Sequence, residues 1–270
     1  MTGLALFLQF PEAVLGGLLV AGVCGLLGVF VILKRVVFIG ITLSETAVCG
    51  MALAFLLHVH PVAGAMALTL AGVALLACPF ERSRLPRDTV LGLLFLLATS
   101  GAILLVSHSG FGLMEIKALL HGDLILASRA DLLVLAAVLI PVALSQVLFL
   151  RPMLNTFLDR DAAMVMGLRV RFWETLFFVG LGLTISVASK VAGAGLVFCY
   201  LIAPPAAALL CTRRLGVALA LAVVFGMAVT LAGMSVSFRY DLPTNQTIIA
   251  LAVGLTAVVG LARVLGRRDS

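Results

Sequence analysis

The chain has 270 residues, of which 63% are apolar and 11% charged, and its mean hydropathy is +1.26. Soluble domains are roughly 45–50% apolar and about 25% charged, so a soluble monomer, a coiled coil and a disordered chain are all excluded. The net charge of +6 and pI near 9.5 would suit a nucleic-acid binder only if Lys and Arg gathered on one solvated face. They fall instead as short interruptions between apolar runs, the pattern of an integral membrane protein.

A spanning helix needs about 20 apolar residues. Charged and Pro/Gly-rich breaks divide the chain into nine candidate spans at 13–33, 36–57, 62–80, 88–107, 131–150, 172–189, 193–212, 215–236 and 247–264. The expected fold is therefore all-α, a polytopic membrane bundle of eight or nine helices forming one domain over 1–270. The first twelve residues lack a basic segment, so no cleavable signal peptide is expected. Two connections exceed a turn. The segment 108–130 holds an amphipathic stretch around 112–120, and 151–171 (RPMLNTFLDRDAAMVMGLRVR) alternates polar and apolar residues as a short helix at a membrane surface would. Five cysteines (Cys24, Cys49, Cys78, Cys199, Cys211) lie in or beside the spans without CxxC spacing and read as small buried hydrophobes.

Basic residues sort by loop. With the N-terminus outside, the inner connections hold 14 of the 18, and the outer ones only Lys117, Arg129, Lys190 and Arg239. Cytoplasmic loops carry the excess of Lys and Arg, so the expected topology is N-out and C-in. The basic excess is then a topology signal, and no nucleic-acid partner is expected.

The chemistry-bearing residues are few. No GxxxxGK[ST] occurs, so an ATP-driven process would need a partner for hydrolysis, and no HExxH or GxSxG supports an intramembrane enzyme. Glu45 lies inside the second span, where a charged side chain costs roughly 2.5–3.5 kcal/mol and normally faces a bundle interior or wet cavity. Thr42, Glu45, Thr46 and Cys49 recur at i, i+3, i+4 and i+7, a polar stripe with a carboxylate at its centre. It reads as the lining of a pathway for a cation or proton; the plainer reading is a Glu bonded to a neighbouring helix. His58 and His60 fall at the outer side. Imidazoles there could pass a borderline cation to the pathway, or they are simply solvated loop histidines. Lys190, Arg239 and Asp241 read as snorkelling and capping groups at helix ends.

Four segments then carry a family resemblance. KRVVFIGITLSETAVCGMALAFLLHVHP (34–61) is similar to an R-R-x-x-x-x-G-D-x-L-x-H-x-x-x-x-G pattern, with Arg35, Gly40, Leu43, Gly50 and Pro61 in place. DAAMVMGLRV (161–170) matches D-x-A-x-x-x-G through Asp161, Ala163 and Gly167. KVAGAGLVFCYLIAPPAAALL (190–210) and YDLPT (240–244) follow in order, with LHGD (120–123) and Asp88…Gly92 in weaker agreement. Colinear over nearly the whole chain, they resemble the membrane permeases of bacterial ABC transporters for zinc, manganese and iron.

The resemblance implies a permease of the bacterial inner membrane that dimerises with a second copy or a paralogue. It implies two cytoplasmic ATP-binding subunits that hydrolyse the ATP, and a periplasmic or lipid-anchored protein that delivers the metal. No cofactor of the chain's own is implied; the divalent metal is cargo. Asp161, Ala163 and Gly167 would belong to the segment that couples to the ATPase.

The chain also departs from the pattern. Ile41 stands at the family's Asp, Glu45 at its His, and Asn245 and Gln246 where Gly-Pro is expected. Three readings stay open: Glu45 from two copies forms an oxygen-rich site suited to Mn²⁺ or Fe²⁺, a paralogous partner supplies the Asp and His, or the substrate is not a free metal. A proton- or cation-coupled secondary transporter with Glu45 as titrating group is the alternative class, and a non-transporting scaffold a further one.

Overall fold

The computed structural model describes residues 10–77, 87–108, 122 and 124–266. The amphipathic stretch at 112–120, most of LHGD, His121, Cys78, Lys117, Arg82, Arg84, Arg267 and Arg268 lie outside the described residues, as does the side chain of His108. The elements are α1 (Pro11–Leu33), α2 (Val37–Leu56), α3 (Pro61–Ala77), α4 (Arg87–His108), a 3₁₀ turn at Leu124–Leu126, α5 (Arg129–Leu148), α6 (Leu150–Leu158), α7 (Arg160–Val165), α8 (Val170–Ala192), α9 (Ala194–Cys211), α10 (Leu215–Tyr240) and α11 (Thr244–Gly266). Each expected span has its helix. Eight of them, all but α3, are at least 18 residues long and apolar enough to cross a membrane. The described part of α3 has 17 residues.

Helix ends fall where the sequence supplies a reason. α1 stops at Lys34–Arg35, where Arg35 takes a left-handed φ of 57° and Val36 N–H bonds back to Val31 O at 3.1 Å. α5 opens on a capping box: Ser128 Oγ accepts from Asp131 N–H, and the Asp131 carboxylate accepts from Ser128 N–H. Pro204 and Pro205 lie inside α9 and remove two backbone donors. The neighbouring α11 bonds to the same helix further along, with Thr256 Oγ1 donating to Ala203 O at 2.9 Å and Arg263 Nη1 to Leu210 O at 2.5 Å.

α1 is the axis of the larger core and packs against α9, α10, α5 and α8. A smaller core joins α2, α3 and α4 through Ala47, Met51, Ala65, Ala98 and Ala102. Lipid gives helices no hydrophobic reason to associate, so close backbone approach between small residues takes its place. Gly50 and Gly64 face each other so closely that a Cβ on either would overlap the other's carbonyl oxygen. Inside the larger core, Tyr200 OH donates to Thr230 Oγ1 at 2.5 Å, and Thr230 donates onward to Gly226 O at 2.8 Å. The chain satisfies the tyrosine with a short relay, since no water is available there.

Ion pairs mark the two ends. Lys34 Nζ bonds Glu174 Oε1 at 2.6 Å where α1 ends and α8 begins. At the opposite end Lys190 Nζ bonds Asp131 Oδ1 at 2.6 Å and Arg129 Nε bonds Glu12 Oε1 at 2.9 Å. The segment expected as one surface helix is in fact two, α6 and α7, at the Lys34 end. Asp159 separates them: its backbone is extended, and its carboxylate caps α7 by accepting from Asp161 N–H at 3.1 Å and Ala162 N–H at 3.0 Å.

Candidate translocation site

Glu45 sits on α2, half-buried, at a cavity of about 340 Å³ that it lines with Thr99 of α4, Ala194, Gly195 and Leu196 of α9, and Asn245, Gln246 and Ile249 of α11. Thr99 Oγ1 donates to Phe95 O at 2.9 Å and lies a longer 3.4 Å from Glu45 Oε2. Among the described residues no Lys, Arg or His pairs with Glu45. A carboxylate within a bundle, beside a hydroxyl and an amide and without a counter-charge, is a group that can take up a cation or a proton.

The other members of the stripe point elsewhere. Thr42 and Thr46 are buried and bond back to their own helix, Thr42 to Phe38 O at 2.9 Å and Thr46 to Thr42 O at 2.7 Å. Thr42 borders a second cavity with Ile41 and Asp88, while Thr46 and Cys49 border an apolar third between α2, α3 and α4. Helical spacing puts these residues on one broad face, but three neighbouring helices divide that face between them. Ile41, at the family's Asp position, is thus separated from the Glu45 cavity.

His58 and His60 are exposed in the turn between α2 and α3, and His58 adopts a left-handed φ of 54°. Among the described residues no group of three or more His, Cys, Asp or Glu side chains gathers in a way that could hold a metal. Thr99 carries no motif and is visible only in the structure. Gln246 was visible as a departure from a pattern, without its role.

On α7, Asp161 is exposed, Ala163 fully buried, and Gly167 ends the helix at φ 76°. Leu168 N–H bonds Ala163 O and Gly167 N–H bonds Met164 O, each at 3.0 Å. This double bond closure needs a left-handed residue at the position of Gly167. Met164, Val165 and Met166 remain exposed, Val165 at 89%.

An all-helical bundle with an acid-lined cavity inside it and a capped surface helix at one end belongs to the class of polytopic membrane transport subunits. The chain belongs to the ABC 3 transport family, which it matches over residues 7–263. It is 30% identical over 248 residues to the manganese transport system membrane protein MntC of Halalkalibacterium halodurans, covering 92% of this chain and 85% of that one. It is 26% identical over 240 residues to the high-affinity zinc uptake system membrane protein ZnuB of Haemophilus influenzae, covering 89% and 92%. Its fold superposes on PsaBC from Streptococcus pneumoniae, solved in complex with Fab, with a TM-score of 0.86 at 23% identity over 95% of this chain and 94% of that one.

Proposed function

We propose that this chain is the membrane-spanning subunit of an ATP-driven importer of divalent metal ions of the manganese, zinc and iron class, and that the cavity at Glu45 is its translocation site. The observation that carries the reading is Glu45 itself: a carboxylate with no Lys, Arg or His partner among the described residues, on a cavity inside a bundle of the ABC 3 family. Relatives named for manganese and for zinc support the substrate class.

In this reading the chain is one membrane domain of the bacterial inner membrane with its N-terminus outside, in keeping with the sorting of basic residues. ATP is hydrolysed by a separate cytoplasmic subunit, which docks on α7 through Asp161 and the exposed Met164, Val165 and Met166, with Ala163 and Gly167 shaping the helix. A periplasmic or lipid-anchored binding protein delivers the ion to the opposite end, where His58 and His60 are solvated. A second copy or a paralogue completes the pathway. Closure of the ATP-binding subunits shifts α6 and α7 and exchanges inward for outward access.

Uptake into vesicles tests the class. ATP-dependent Mn²⁺ or Zn²⁺ uptake that persists with an ionophore present is the expected result. Uptake abolished by the ionophore with ATP intact would identify a secondary transporter instead.

A further inference from the structure

Two residues of the first turn of α11, Asn245 and Gln246, stand where the resembled pattern has Gly-Pro, and the structure gives each a task. The corner before them is fixed by Ser237, which donates to Leu242 O at 2.6 Å and pairs with Thr244 Oγ1 at 2.7 Å. Asn245 is 6% exposed. Its Nδ2 donates to two backbone carbonyls from different segments, Gly122 O and Ala192 O, each at 3.0 Å.

Those carbonyls flank a crowded junction. Ala192 ends α8, and Gly193, at φ 76°, is the single residue before α9 begins. Gly122 has φ 52°, and a Cβ there would overlap the backbone of Gly193. Two backbones in contact bury their polar groups, and a buried carbonyl without a donor costs about 1–3 kcal/mol. Asn245 supplies that donor to both. It thereby fixes the first turn of α11 against the α8–α9 junction, from which α9 runs on through Ala194, Gly195 and Leu196 as the wall that shares the Glu45 cavity with α11. Gln246, the next residue, lines the cavity itself.

We propose that Asn245 and Gln246 set cation affinity and selectivity at the Glu45 cavity, Asn245 as the positioning residue that holds the α9 and α11 walls, and Gln246 as a neutral oxygen donor beside the Glu45 carboxylate and the Thr99 hydroxyl. This rests on the reading of the cavity as the translocation site. Among the described residues, the side chains gathered there offer oxygen and no imidazole or thiolate, which suits a hard cation such as Mn²⁺ over a softer one such as Zn²⁺.

Mn²⁺ binding to the purified full-length chain, measured by electron paramagnetic resonance with Zn²⁺ as competitor, tests this. Gln246→Glu adds a second carboxylate, and ligand charge tunes affinity for oxygen-bound cations, so the Kd for Mn²⁺ should fall about tenfold. Gln246→Leu should raise it several-fold and narrow the preference for Mn²⁺ over Zn²⁺. Asn245→Ala should also raise the Kd, and Asn245→Asp should not restore it, because a carboxylate has no N–H for either carbonyl. Gln246 is exposed, so its variants remain informative if those at Asn245 fail to fold. Glu45-dependent binding whose Kd is the same in wild type, Gln246→Glu and Gln246→Leu would overturn this inference alone. Mn²⁺ binding that Glu45→Gln leaves unaltered, or no binding by the wild type, would overturn the reading of the cavity as well.

Discussion

Lys34 Nζ donates to Glu174 Oε1 at 2.6 Å while lying over the rings of Phe157 and Phe178, 4.6 and 5.0 Å from their centroids. One ammonium at the end of α1 thus ties together α8 and α6, the helix that leads into α7. Phe157 in turn packs edge-on against Phe30 and Phe177, with centroids at 5.7 and 5.1 Å. Through Phe157 the helix that leads into α7 is packed against both α1 and α8.

Removing the ammonium should therefore be felt. Both side chains keep partial solvent exposure, 17% and 21%, so Lys34→Met should cost about 1–2 kcal/mol, less than the 3–5 of a fully buried pair. The double variant Lys34→Met, Glu174→Leu should recover most of that loss, because the orphaned carboxylate goes with its partner. Thermal unfolding in detergent measures both. A double variant as unstable as the sum of the singles would show that packing, not the ion pair, holds the junction.

Glu45→Gln should reduce metal uptake at least tenfold while leaving the yield and assembly of the complex intact, since the amide keeps the shape and removes the charge. Thr99→Val should have a smaller, few-fold effect, because its 3.4 Å contact with the carboxylate is long. Wild-type uptake by Glu45→Gln would reduce Glu45 to a packing residue.

The caps of α7 should control docking. Asp159→Ala removes the acceptor for two N–H groups and should cost about 1 kcal/mol, whereas Asp159→Asn should cost much less. Gly167→Ala forces a Cβ into a left-handed backbone at about 1–2 kcal/mol, although open space surrounds it. Both should weaken co-purification of the ATP-binding subunit and its transport-coupled hydrolysis. An unaltered complex in Gly167→Ala would place the docking surface elsewhere.

Gly50 and Gly92 give a paired test of packing. Gly50→Ala drives a methyl into the Gly64 carbonyl and should destabilise the bundle by about 1–3 kcal/mol. Gly92→Ala meets nothing within 4 Å and should be neutral or stabilising by up to about 1 kcal/mol through helix propensity. Equal effects on thermal stability would mean that the α2–α3 crossing is looser than its geometry.

Much of the fold was legible because lipid leaves few choices. A run of about 20 apolar residues must be helical when its backbone has no water to bond, so span positions followed from where Lys34, Arg151, Arg213 and their like interrupt the runs. Asp161 and Gly167 were legible as a pair, but the capping role of Asp159 was not, since a lone acid between two short helices carries no pattern of its own. Helical spacing likewise put Thr42, Glu45, Thr46 and Cys49 on one side of α2. It could not tell which of them meets α4 alone and which meets α9 and α11.

The sequence by itself determined that this chain crosses a membrane as a helical bundle, to which family its motifs lead, and that Glu45 is the acid with no ordinary reason to be inside. Local chemistry suffices for that, because hydropathy, charge and motif spacing are read along the chain. Only the tertiary structure decided what surrounds Glu45. Thr99, Gly195 and Gln246 are 54, 150 and 201 residues away in sequence, and they meet Glu45 only because the α2–α3 crossing of Gly50 on Gly64 and the backbone contact of Gly122 with Gly193 bring distant segments together. The working surroundings of a single carboxylate depend on those close approaches, and no pattern along one helix encodes them.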